Sequence, residues 1–403
     1  MSLLLRGGRI LDGEAWVTAD VLLTGDRVAG IGEPGTVDGA GAQILDVTDR
    51  LVLPGLIDMH THTYWGANRL GVTPDKAAAR SGVTTWVDAG TAGAGGLEGL
   101  VEHVVKRSRV RVLPFVNMSY IGIATAGMMT NEIGELFDAR FADLRAVLRT
   151  AQELPGSVCG VKVRASANTI ADNAGSVMPL AREAARTLGV PLMVHIGMAP
   201  PTIGEILPYL DGGDLITHCF HPHAGGTLLD PSGRIRPEVV DAVERGVLLD
   251  VGHGVASIGY DVVRACLEQG YAPHTLSSDL HAENIEWPVG SLLQVMTTFL
   301  ALGLSLEEVI EKVTAAAAGA LRRPDLGRLE VGGIGDVAVL DLVETDRILQ
   351  DTLGQRLHVH RELRHVLTVV AGEVLEPYDD GRREGRTSPW QTRFGASEDN
   401  TTA

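Results

Sequence analysis

Between residues 56 and 279 the chain repeats one unit: a short apolar run, a turn, and a stretch with helical periodicity. The apolar runs are Leu56–His60, Thr84–Asp88, Val112–Asn117, Gly160–Val163, Leu192–His195, Leu215–His218, Leu248–Val251 and Thr275–Asp279. Helix formers separate them, as in LAREAARTL at Leu180–Leu188 and EVVDAVE at Glu238–Glu244. Strands that alternate with helices pair in parallel, because each helix carries the chain back to the same edge of the sheet. Runs apolar on both faces are what a covered parallel sheet requires. Eight such units over about 270 residues predict a closed (β/α)8 barrel, whose chemistry sits at the C-terminal ends of its strands.

The flanks have a different texture. Residues 1–52 alternate apolar runs with Gly-Gly and Gly-Asp turns, as antiparallel strands do, and the pattern returns at Gly335–Asp341 and Val366–Gly372. Neither end has enough apolar surface to stand alone. Residues 1–52 and 330–378 are therefore expected to form one small β-sandwich domain beside a barrel of residues 53–329. From residue 379 to 403 the chain is polar and aperiodic, and it reads as a flexible tail.

Composition excludes several function classes. A net charge of −17, from 34 basic and 51 acidic residues, repels phosphate backbones, so nucleic acid is not an expected partner. No apolar run approaches the roughly 18 residues a bilayer needs, and the N-terminus lacks the pattern of a signal peptide. Three scattered cysteines, Cys159, Cys219 and Cys266, fit a reducing compartment. A cytoplasmic enzyme of small molecules, assembled as a homo-oligomer and without a membrane partner, is the expectation.

The ligand-type residues fall at the barrel mouth. The first run, LPGLIDMHTHTYWG, ends in His60 and His62, which alternation along a strand points to one side. His358 and His360 have the same spacing, but Arg356, Arg361 and Glu362 around them mark a solvated strand. Downstream, Lys162 lies in the fourth run between Val161 and Val163, which imply burial. His195 ends the fifth run, His218 the sixth and Asp279 the eighth. Imidazoles and carboxylates converging on one space are metal-ligand chemistry.

These phrases, with GVTTWVDAGTAG, GVKVRAS, PLMVHIG, ITHCFHP and SSDLH, resemble the amidohydrolase superfamily over nearly the whole chain. The likeness is to its binuclear, carbamylated-lysine branch, and within that to an amidohydrolase/deacetylase group related to dihydroorotases. The resemblance implies that His60, His62 and Asp279 bind one divalent ion and His195 and His218 a second. Lys162, carbamylated by CO2, would bridge them, and zinc is the expected metal. It further implies that Asp279 is the catalytic acid–base group for a water activated between the ions. The implied reaction is hydrolysis of an amide or ester bond in a small N-acetyl or O-acetyl amino or hydroxy acid. A cyclic amidase of the dihydroorotase or hydantoinase kind is the alternative. Dihydroorotases usually carry an arginine two residues after the second histidine, and here Tyr64 stands there.

Other groups have two readings each. Arg164 shares a face with Lys162 and either grips a substrate carboxylate or sits in an ion pair. His253, in DVGHG after the seventh run, contacts substrate or packs its loop. Asn117 and Tyr120 open a Gly- and Met-rich stretch, 117–132, that is expected to cover the pocket and bind substrate. Gly90–Gly96 reads as a loose anion cradle, His221 and His223 as loop residues, and Cys159 and Cys219 as small buried hydrophobes.

Overall fold

A computed structural model describes residues 1–13, 15–126, 133–379, 381 and 385–386. The repeated apolar runs form one seven-stranded parallel sheet in strict chain order: Leu56–Thr61, Val83–Gly93, Arg111–Asn117, Gly160–Ala165, Leu192–Ile196, Leu215–Thr217 and Leu248–Asp250. The eighth run forms no ladder. It bridges both edges of the sheet instead, pairing Thr275 with Asp250 and Leu280 with Thr61, each in parallel. Its polar groups are taken up elsewhere: the Thr275 and Ser277 hydroxyls donate to Asp250, and the Ser278 N–H donates to Asp58.

Two cores follow from strands that are apolar on both sides. Ile57, Met59, Val87, Ala89, Leu113, Phe115, Met193 and Leu215 pack on one face with the helix Ala315–Ala320. The other face carries Leu56, Trp86, Val116, Val161, Val194 and Ile216 against the outer helices. Among these, Ala174–Leu188 puts Val177, Met178, Ala181 and Ala184 on one buried stripe and ends at Gly189, whose left-handed φ of 69° closes the helix.

The two ends of the chain meet as expected. Leu51–Pro54 pairs in parallel with Ser2–Asp12 and antiparallel with Val337–Gln350. One eight-stranded sheet therefore contains strands from both ends, and Val21, Leu23, Val52, Val337, Val339 and Val369 share its core. Hydrogen bonding runs continuously through this sheet, where a sandwich predicts two separate layers. Leu53 and Pro54 belong to it, two residues beyond the expected boundary. Both late strands also run longer than their apolar centres, Val337–Gln350 and Arg356–Val370, and His358 and His360 are exposed on the second.

Asp379, Gly381, Gly385 and Arg386 are described from the C-terminal run expected to be flexible; its other residues, like 127–132 of the expected cover, lie outside the described residues. Arg386 donates its N–H to the Ala282 carbonyl at 2.6 Å. No helix among the described residues is long and apolar enough to cross a membrane.

Asp336 joins the two sheets. It accepts from the Arg111 guanidinium at 2.9 Å and from the Ala371 N–H at 2.8 Å, while its carbonyl takes the Gly55 N–H at 2.8 Å. Asp336→Ala strands two donors and should cost about 1–3 kcal/mol, read as a lower urea midpoint at unchanged slope.

Candidate active site

The C-terminal ends of the strands bring the predicted ligands together. His60 Nε2 lies 3.4 Å and His62 Nε2 3.1 Å from Asp279 Oδ1, and ligand atoms of these three residues all fall within 4.8 Å of one another. Lys162 Nζ is 3.3 Å from His60 Nε2. The ring centroids of His60 and His218 are 4.9 Å apart, and those of His218 and His195 4.3 Å. Five chain segments contribute, and only the sheet makes them neighbours. Register explains part of this: Met193 pairs with Lys162 and His195 with Arg164, so the fourth and fifth strands present matching side chains to one face. A register shift between Asp58 and Thr61 marks a bulge in the first strand as it delivers His60.

Hydrogen bonds fix which nitrogen of each ring faces inward. Thr217 has one hydroxyl proton, and it goes to Asp250 Oδ2 at 2.6 Å. Its 2.9 Å contact with His60 Nδ1 must then be donated by the ring, which leaves a bare lone pair on Nε2. His218 Nδ1 can only donate to the Gly252 carbonyl, 2.6 Å away, so its Nε2 is bare too. His62 Nδ1 meets the Thr91 hydroxyl at 2.9 Å. Such outer partners orient metal-binding histidines and raise their basicity.

Burial decides the charges. It drives the imidazoles of His60, His195 and His218 down, the last to about 4, so these rings are neutral at neutral pH. It drags the Lys162 ammonium down to about 7, although Asp279 and Asp250 oppose it. Burial also works against charge on Asp279, yet its polar neighbours, with a hydrogen bond from His62 among them, hold the carboxyl well below its ordinary range. Beneath the site Asp58 is raised to about 7 by burial, against hydrogen bonds from Ser278 and the His60 N–H.

Backbone shape makes the room. His218 and Asp279 both have left-handed φ, 70° and 51°, a strain that non-glycine residues sustain mainly at functional sites. A Cβ on Gly90 would lie 2.6 Å from Lys162 Cβ, one on Gly252 2.8 Å from His218 Nδ1, and one on Gly254 2.6 Å from Asp279 Oδ2. The glycines of Gly90–Gly96 serve close packing. Gly90 admits the lysine, and Gly93 and Gly95 admit the Ser119 carbonyl and the Tyr120 ring.

The secondary candidates divide. Arg164, mostly buried, lies 3.6 Å from Oε1 of the buried Glu135, in an ion pair that leaves its other donors without protein partners among the described residues. His253 is buried beside Asp279, its Nδ1 on the Gly254 carbonyl at 2.9 Å. Asn117 is fully buried: its amide donates to the Gly90 carbonyl and accepts from the Ser119 N–H, which ties two strand ends together. Tyr120 is exposed at the rim. His221 and His223 stack and bond loop carbonyls, as expected of loop residues. Cys219 is fully buried, as expected, and Cys159 only partly.

Sequence reasoning missed Thr217, Asp250, Asp58, Glu135 and His281. The first three are small or acidic residues inside apolar runs, where their polarity was itself a signal. Glu135 sits in an irregular loop. His281, two residues past Asp279, had a signal in the SSDLH phrase.

The model for the amidohydrolase family matches residues 51–375. A deacetylase of Agrobacterium fabrum is 32% identical over 368 residues, spanning 90% of this chain and 88% of its own. A deacetylase of Enterococcus faecalis is 29% identical over 377 residues, 93% of this chain and 99% of its own. A solved structure described as a dihydroorotase superposes with a TM-score of 0.85 at 30% identity, covering 93% of this chain and 98% of the other. This chain belongs to the amidohydrolase family. It is a hydrolase acting on C–N bonds.

Lys162 gives a pH-dependent stability in protein stripped of metal and CO2. Its folded pKa of about 7 lies below the ordinary lysine value of 10.5, so between them the unfolded chain holds a proton that the folded one lacks. Stability should therefore rise with pH from about 7 to about 10, and Lys162→Met should remove that rise in a series of urea titrations.

Proposed function

We propose that this amidohydrolase uses two divalent metal ions to remove the acyl group from a small N-acetyl or O-acetyl amino or hydroxy acid. The observation that carries this is Lys162. Its amine is fully buried, 3.3 Å from His60 Nε2 and 3.3 Å from Met193 Sδ, and among the described residues no carboxylate lies within ion-pair distance. A structural lysine does not bury its charge in such company. A carbamate answers the problem: the neutral amine adds to the carbon of CO2, loses a proton, and becomes an anion with two oxygens. His60, His62 and Asp279 would hold one divalent ion and His195 and His218 a second, with a carbamylated Lys162 as an anionic ligand to them. Zinc suits imidazole and oxygen donors with bare inward nitrogens. Such a pair of ions lowers the pKa of water and polarises an acyl carbonyl.

The protein's own groups do the rest. Asp279, kept ionised, takes the proton of the attacking water and returns it to the leaving nitrogen or oxygen. Arg164 turns its free donors toward the substrate carboxylate, with Glu135 behind it. His253 and Tyr120 border the same space. This reading takes residues 53–329 as a (β/α)8 barrel with 275–279 as its eighth strand, and 1–52 with 330–378 as a separate domain.

Hydrolysis of a cyclic amide is the second reading, favoured by the likeness to the structure described as a dihydroorotase. Tyr64 weighs against it. Its ring packs toward Gly96 and Gly99, so no cation grips a carboxylate from that position.

Purified protein should carry up to two divalent ions per chain, and Lys162→Ala should lower metal content and turnover together. Full metal content with unchanged turnover in that variant would remove the bridging role. A panel of N-acetyl acids, O-acetyl hydroxy acids and cyclic amides should show turnover of the open-chain acids. On the best of these, Arg164→Met should lose roughly 30- to 1000-fold in kcat/KM, and far less on its methyl ester. Preference for the cyclic amides would favour the second reading.

A further inference from the structure

His281 stands apart from the ligand set yet is built into the same wall. It leaves the eighth strand two residues after Asp279, its ring centroid is 6.3 Å from that of His62, and the residue is almost wholly buried. Two contacts hold it still. The Asn284 carboxamide oxygen accepts the His281 N–H at 2.8 Å, and the Glu283 N–H donates to His281 Nδ1 at 3.1 Å.

The second contact determines the tautomer. A ring nitrogen that accepts a backbone N–H carries no proton, so the proton of the neutral ring is on Nε2. His60 and His218 are held the opposite way, with Nδ1 as donor and Nε2 bare. His281 thus presents an N–H where they present lone pairs, and it is not a metal ligand in this form. Among the described residues that N–H has no acceptor. Nor is Nε2 one of the fully buried polar atoms that lack a partner, so this donor stays open to a group from outside the chain.

We propose that His281 Nε2–H is a specificity-determining donor to the carboxylate of the departing half of the substrate, acting together with Arg164. This rests on the deacylase reading above. Asp279, two residues away, delivers its proton to the leaving atom, so a donor beside it faces the leaving half and not the acyl group. A neutral N–H also suits a site of dications, because it binds an anion without adding positive charge.

Two substitutions separate this role from a structural one. His281→Asn keeps an oxygen near the Nδ1 position for the Glu283 N–H but removes the distal donor. His281→Gln places an N–H near the Nε2 position but gives up the Glu283 contact. Both variants and the wild type are compared, with metal content measured, on the acylated acid turned over fastest in the panel above and on its methyl ester. His281→Asn should retain its metal and lose about 10- to 100-fold in kcat/KM on the free acid, mostly through KM, with a loss several-fold smaller on the ester. His281→Gln should recover most of that loss. Equal losses in both variants would make the ring structural. Equal losses on acid and ester, or wild-type kinetics in His281→Asn, would mean the donor does not serve the carboxylate. If the wild type turns over no acylated acid, the deacylase reading fails first and takes this assignment with it; if it does and Arg164→Met spares the selectivity while His281→Asn abolishes it, His281 alone holds the carboxylate.

Discussion

A buried primary amine with no carboxylate at ion-pair distance among the described residues is the constraint to which the rest of the site answers. Lys162 needs space, and Gly90 leaves it by having no side chain. It needs neighbours that do not carry positive charge, and burial keeps His60, His195 and His218 neutral. The negative charge is kept in two tiers. Asp279 faces the cavity, while Asp250 and Asp58 lie behind the ligand residues, wrapped in hydroxyl and backbone donors. The lower tier never meets the amine within ion-pair distance, and through the Thr217 hydroxyl Asp250 orients His60 without quenching the lysine. Removing any one part would leave a buried donor or acceptor alone, the costly outcome in a low dielectric.

Much of this was legible in the sequence because a parallel sheet turns chain order into space. Once the apolar runs are recognised, His60, His62, Lys162, His195, His218 and Asp279 must emerge at one end of the strands, whatever lies between. The partners that tune them could not be read the same way. Thr217 matters because its single proton is claimed by Asp250, a fact of three strands at once. Asn117 was legible from its place at a strand end, but not the bonds of its amide to Gly90 and Ser119. The eighth run was visible as a strand by composition, but its serines and threonine give their hydrogen bonds to buried carboxylates, and the ladder is reduced to bridges at either edge.

The small sheet shows the limit of local patterns in another way. Its turns and alternations are written in the sequence, whereas its continuity is not. Leu51–Pro54 joins strands from opposite ends of the chain by pairing parallel on one side and antiparallel on the other. A short apolar segment of four residues does not announce that it will be the seam.

That seam has a consequence in time. Leu51–Pro54 is made early, and its partner Val337–Leu340 follows some 280 residues later. At about 5–20 residues per second, the N-terminal strands wait roughly 15–60 s on the ribosome with one edge unpaired. An open edge is a template for any other strand. The parallel sheet must meanwhile assemble from sequential βα units while this edge is held in reserve. Val337–Gln350, which follows every strand of the parallel sheet, closes the edge that Leu51–Pro54 leaves open, so premature release of the chain would free a fold whose active site is written but whose hem is undone.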